Sequence, residues 1–157
     1  MNPVAVDAKP AAGDCGPKVL IIEDDPSVAR ALARSLRGYR VVMVDSVPAG
    51  VQALTDVPDI DAVLCDLHMA GQPLQAWDFH RLVAEALPDR LPRVSYMHGG
   101  LFSMESQQFV AGVSVAHPVL AKPIMPQALR EFVQVFVLEG PASASACATR
   151  LGVWGGG

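Results

Sequence analysis

The chain has 157 residues, of which 51% are hydrophobic and 18% charged, and its formal net charge is -4 at pH 7. That length and apolar share suit one globular domain with a sizeable core and exclude a disordered chain. The acidic balance carries no basic stripe for nucleic acid, and no apolar run reaches the roughly 18 residues needed to cross a bilayer.

Residues 1–17 are rich in Ala, Pro and Gly without a period and read as a flexible N-terminal tail; they lack the layout of a secretion signal. Residues 18–22 (KVLII) form a short apolar run with β-branched residues, the mark of a strand buried on both faces. Asp25-Pro26 reads as a helix cap followed by Pro at the first helical position, and Val28, Leu32 and Leu36 then line one stripe up to about Gly38. Residues 41–44 (VVMV) predict a second strand, and a weaker helix covers about 47–55. DAVLCDL (61–67) predicts the third strand. A loop with Gly71 and Pro73 leads into a helix over 77–87. RVSYM (93–97) is the fourth strand, followed by Gly99-Gly100 and a helix over about 104–110. HPVLA (117–121) is the fifth strand, and an amphipathic helix over 126–139 closes the domain. Residues 140–157 (GPASASACATRLGVWGGG) read as a flexible C-terminal tail. Strands alternating with helices predict an α/β fold, a parallel sheet with helices on both faces.

In such a sheet ligands bind at the carboxyl ends of the strands. The first strand ends in Glu23-Asp24-Asp25, the third in Asp66, the fourth in His98-Gly99 and the fifth in Lys122-Pro123. Acidic groups gathered this closely repel one another unless a hard cation neutralises them, and Mg²⁺, with oxygen ligands and retained waters, suits them. A lysine beside them offers a point charge to a transferring phosphoryl group. Asp25 is the helix cap rather than a ligand, and Cys65 points to the opposite face of its strand, into the core. The three cysteines are widely spaced without a CxxC pair, which fits a reducing cytoplasm rather than a disulfide framework or zinc site.

The segments VLIIEDDPSVARALARSL, AVLCDLHMAG and VLAKPIMPQALREFV, within residues 18–139, resemble response-regulator receiver domains of bacterial two-component signalling. The stretch RVSYMHGGLFSMESQQFV is similar to receivers of hybrid histidine kinases. The resemblance implies a doubly wound, flavodoxin-like five-stranded sheet of order 2-1-3-4-5 with Asp66 as phosphoacceptor. It implies Mg²⁺ held by Asp24, Asp66 and the backbone carbonyl of His68, with Glu23 acting through water. Lys122 would contact the phosphoryl group, and the Lys122–Pro123 bond would be cis. The implied phosphodonor is a sensor histidine kinase or histidine phosphotransfer protein in the cytoplasm; a homodimer stays open, and no nucleic-acid or membrane partner is implied. With no effector domain after residue 139, the chain is expected to stand alone or to be excised from a hybrid kinase. Such a domain supports its own phosphorylation and slow dephosphorylation without being a turnover enzyme.

Three positions depart from the family. His98 stands where a Ser or Thr hydroxyl is usual, either contacting the phosphoryl group or filling space beside a silent site. Val119 replaces the usual aromatic residue, and the loop after Asp66 has Ala70 in place of Pro and, over Gly71–Gln75, is about two residues longer than is common. A never-phosphorylated pseudo-receiver acting as an interaction module is therefore the alternative. A remoter one is a cobalamin-binding domain: Asp66-Leu67-His68-Met69-Ala70-Gly71 spells D-x-H-x-x-G, although in that family the loop follows the first strand.

Overall fold

Runs of aliphatic residues too apolar to face water on either side form the centre of the molecule. Val19–Ile22 and Ala62–Asp66 are buried along their lengths, as a parallel sheet covered on both faces requires. The computed structural model of the protein describes residues 4–5, 16–101 and 103–156. Its strands are β1 (Val4–Ala5), β2 (Lys18–Ile22), β3 (Arg40–Val44), β4 (Ala62–Asp66), β5 (Val94–His98) and β6 (Val119–Ala121). The helices are α1 (Pro26–Ser35), α2 (Val47–Asp56), α3 (Ala76–Ala86), α4 (Met104–Val113), α5 (Pro126–Glu139) and α6 (Pro141–Arg150), with a 3-10 segment at Pro88–Arg93.

The sheet order is β1-β3-β2-β4-β5-β6. The last five strands in that order are parallel, and numbered among themselves they run 2-1-3-4-5, the doubly wound arrangement expected from the sequence. Residues such as Leu54, Phe79, Val83 and Val110 from α2, α3 and α4 cover one face with Leu20, Val63 and Tyr96. Leu32, Leu129, Phe132 and Phe136 from α1 and α5 cover the other with Ile21, Leu64 and Met97. Asp25 caps α1 as expected, accepting from the amides of Ser27 at 2.9 Å and Val28 at 3.3 Å, with Pro26 beginning the helix. The Lys122–Pro123 peptide bond is cis. Among the described residues no helix is long and apolar enough to cross a membrane.

Both expected tails need correction. Most of residues 1–17 lie outside the described residues, but Val4–Ala5 pair antiparallel with Met43 and Val42 as an added edge strand. Residues 140–156 hold regular structure too. Helix α6 packs on α5 through Ala144, Cys147 and Ala148, small residues that let the two helices approach closely. The chain then turns at Gly152 (φ +74°) and runs along the open edge of β6. There Ala121 N–H donates to the Val153 carbonyl and Gly155 N–H to the Val119 carbonyl, both at 2.8 Å, with Leu120 opposite Trp154.

Candidate functional site

The carboxyl ends of β2, β4 and β6 bring their polar residues together. Glu23 follows β2 and Asp66 ends β4; both are buried, while Asp24 is half-buried. One carboxylate oxygen from each of Glu23, Asp24 and Asp66 lies within 4.8 Å of the others. Lys122, just past β6, places its Nζ 2.8 Å from Glu23 Oε1 and 2.9 Å from Asp66 Oδ1. The four residues singled out from the strand ends thus form one cluster.

Its electrostatics follow from burial and crowding. Burial pushes the Glu23 carboxyl above its ordinary value, and the neighbouring Asp66 adds to this while the Lys122 hydrogen bond opposes it. Burial likewise raises Asp66, again against the pull of Lys122. Asp24 is raised by burial and then by its neighbour Glu23. For Lys122, burial disfavours the ammonium, but the two carboxylates outweigh it and hold the lysine above its ordinary value. Three acidic oxygens facing one ammonium leave an excess of negative charge, the donor set that suits a small hard dication. Mg²⁺ therefore fits these residues.

The remaining candidates are placed differently. The His68 side chain is exposed, its ring edge-on to Trp77 at 5.8 Å. Ala76, Phe79 and Val83 anchor α3 to the sheet. Trp77 is half-buried between His68 and Phe109. His98 ends β5 and is buried, yet its Nε2 donates to the Gly155 carbonyl at 2.7 Å, and among the described residues its Nδ1 has no hydrogen-bond partner. Cys65 is buried in the core, as its place before Asp66 predicts.

Two positions near the site went unnoticed in the sequence. Gln75 holds the loop after Asp66: its Oε1 accepts from Met69 N–H at 2.7 Å, and its Nε2 donates to the carbonyls of Met69 at 2.9 Å and Gln72 at 3.0 Å. Its own N–H donates to Asp78 at 2.9 Å, and this Gln-x-x-Asp spacing at a helix start is the one signal that could have marked it. Gly155 carried no local signal, because its partner lies 57 residues away.

No family model matches the chain, and no curated protein matches it by sequence. Solved structures do. A response regulator receiver protein from Pseudomonas putida is 24% identical with a TM-score of 0.64, covering 76% of this chain and 97% of that one. A response regulator receiver domain protein from Clostridium thermocellum is 19% identical with a TM-score of 0.61, covering 87% and 97%. A sensor protein from Polaromonas is 22% identical with a TM-score of 0.61, covering 86% and 98%. Strand order, helix placement and these likenesses agree: the fold of this chain is that of response-regulator receiver domains.

Proposed function

We propose that this chain is a phosphoacceptor receiver that takes a phosphoryl group from a phosphohistidine onto Asp66 and signals by a change of conformation. The observation that carries this reading is the Lys122 ammonium lodged between Asp66 and Glu23, with Asp24 completing the acidic cluster. A carboxylate oxygen of Asp66 attacks phosphorus in line. The new O–P bond forms as the donor's N–P bond breaks, and the imidazole leaves with the electron pair. Lys122 opposes the rise that burial gives the Asp66 carboxyl and turns its ammonium to the incoming phosphoryl oxygens. Asp24, Asp66 and the His68 backbone carbonyl would hold Mg²⁺, with Glu23 through water, and the ion would supply positive charge to those oxygens.

The phosphodonor in this reading is a sensor histidine kinase or a histidine phosphotransfer protein. An apolar groove of about 700 Å³ opens beside Lys122 between α1 and the turn after β6, lined by Ala31, Leu32, Pro123 and Ile124, and gives such a protein a surface to rest on. A cytoplasmic setting accords with the three widely spaced cysteines, of which Cys65 and Cys147 are free and buried. The stretch after β5 supports kinship with receivers of hybrid kinases. One observation favours the second reading, a pseudo-receiver that is never phosphorylated: His98 is engaged with Gly155 in place of a hydroxyl near Asp66.

Incubation with acetyl phosphate and Mg²⁺ followed by intact-mass measurement separates the two. A single added phosphoryl mass that disappears in Asp66→Asn is expected. A mass shift that survives the substitution, or none in the unaltered chain, removes the phosphoacceptor reading.

A further inference from the structure

Strand β6 would be the open edge of the parallel sheet, with the Ala121 N–H and the Val119 C=O turned outward to no partner. The segment Val153–Gly155 satisfies both groups, and the Val153 N–H anchors it back to α6 by donating to the Ala148 carbonyl at 2.9 Å. Its fourth hydrogen bond comes from His98, whose Nε2 donates to the Gly155 carbonyl at 2.7 Å. The fit is tight. A Cβ added at Gly155 would lie 2.8 Å from His98 Nε2 and 2.9 Å from both the Ala121 nitrogen and the Leu120 carbonyl carbon, so only glycine sits there without displacing backbone.

His98 joins this strap to the acidic cluster. Met97 is the cross-strand partner of Asp66, so His98 is the next residue along β5, and its carbonyl accepts the Lys122 N–H at 2.8 Å. Its Nδ1 is buried without a partner, so the ring's hydrogen-bonding capacity is only half used. A phosphoryl group on Asp66 brings about two negative charges and three acceptor oxygens, which attract a donor more strongly than a neutral carbonyl does. An imidazole drawn to that group lets go of Gly155, and the strap then has only its backbone bonds at an exposed edge.

We propose that Val153–Gly155 is a displaceable strap on the β6 edge, coupled through His98 to the state of Asp66, so that phosphorylation loosens it. The inference rests on the phosphoacceptor reading given above.

Amide hydrogen exchange followed by NMR on the full chain tests it, with beryllium fluoride and Mg²⁺ as a non-hydrolysing phosphoryl mimic. Shifts at the Asp24, Asp66 and Lys122 amides report binding of the mimic. The Ala121 and Gly155 amides, donors of the two edge bonds, report the strap, and the Tyr96 amide, bonded inside the sheet to Pro118, is the control. Saturation is expected to speed exchange at Ala121 and Gly155 about fivefold or more and to leave Tyr96 unchanged. Bound mimic with no change at Ala121 and Gly155 overturns the coupling and leaves the phosphoacceptor reading standing. No binding at all removes that reading and the coupling with it. Coupling is reciprocal, so Gly155→Val, which pries the strap off, is expected to bind the mimic about fivefold or more tightly; unchanged affinity overturns the proposal. In His98→Leu the edge amides are expected to exchange fast with or without the mimic, and a mimic that still accelerates them there removes His98 from the link.

Discussion

Lys122 lies 2.9 Å from Asp66 although β5 separates their two strands in the sheet, and the same ammonium reaches on to Glu23 beyond β2. One side chain thus bridges the ends of three strands.

Replacing it exposes what it offsets. In Lys122→Met, Glu23 and Asp66 remain buried side by side without a cation, and a loss of about 3 kcal/mol at pH 7 is expected. Both carboxyls already stand above their ordinary values through burial, opposed by Lys122, and they rise further without it. A raised folded-state value means the folded chain binds the proton more readily than the unfolded one. The deficit is therefore larger at neutral pH and fades as pH falls toward the ordinary carboxylate range near about 4. Denaturant melts of both chains at pH 7 and pH 5 check this, and an equal deficit at the two values contradicts it.

Asp24 is the carboxylate in the cluster most open to solvent, and burial and Glu23 raise it. Asp24→Asn is expected to hold or raise the metal-free melting temperature, since one repelling charge is gone. It should also shrink the increment that Mg²⁺ gives. At a tenfold excess over Kd that increment is about 1.4 kcal/mol, a shift of a few degrees. Thermal scans across a millimolar Mg²⁺ series decide the matter, and the same increment in both chains argues against Asp24 as a ligand.

Gln75→Ala removes three side-chain hydrogen bonds that pin the loop between Asp66 and α3. The expected cost is about 2 kcal/mol in a denaturant melt. Faster exchange should be confined to the Met69 amide and its neighbours. Uniformly faster exchange throughout the domain would show that Gln75 supports the whole fold and not this loop in particular.

Gly50 of α2 is buried against Ile22 of β2 and Phe79 of α3. A Cβ there would sit 2.5 Å from Ile22 Cδ1 and 3.2 Å from Phe79 Cε1. Gly50→Ala is therefore expected to destabilise by about 1–2 kcal/mol through overpacking, although alanine favours helix. A more stable variant would mean that Ile22 turns aside freely.

What was legible in the sequence depended on short-range signals. The strands announced themselves because residues such as Val19–Ile22 and Val63–Cys65 are apolar without alternation, and Asp25-Pro26 marked its helix by a local cap. The cluster was legible because strand ends in a parallel sheet share one edge, so Glu23, Asp24, Asp66 and Lys122 had to meet. Helix α6 was not. Its sequence PASASACATR looks like a tail, and its packing face of Ala144, Cys147 and Ala148 offers almost no hydrophobic contrast. The available clue lay in α5, whose Val135 and Val137 add apolar surface beyond the stripe of Leu129, Phe132, Val133 and Phe136 that meets the sheet. Strand β1 is too short for any period to show, and the bond from His98 to Gly155 depends on tertiary structure alone.

The two tryptophans of the chain stand at opposite ends of this machinery. Trp77 lies edge-on to His68 in the loop beyond Asp66, and Trp154 pairs opposite Leu120 in the strap. The molecule accordingly carries its own pair of fluorophores, one for each region, and needs no dye. Trp77 is half-buried beside His68, so its emission follows the loop. Trp154 is half-buried, and its emission moves to longer wavelength as the strap meets water. A Trp77→Phe chain isolates the second signal, and stopped-flow mixing then times the opening of the edge.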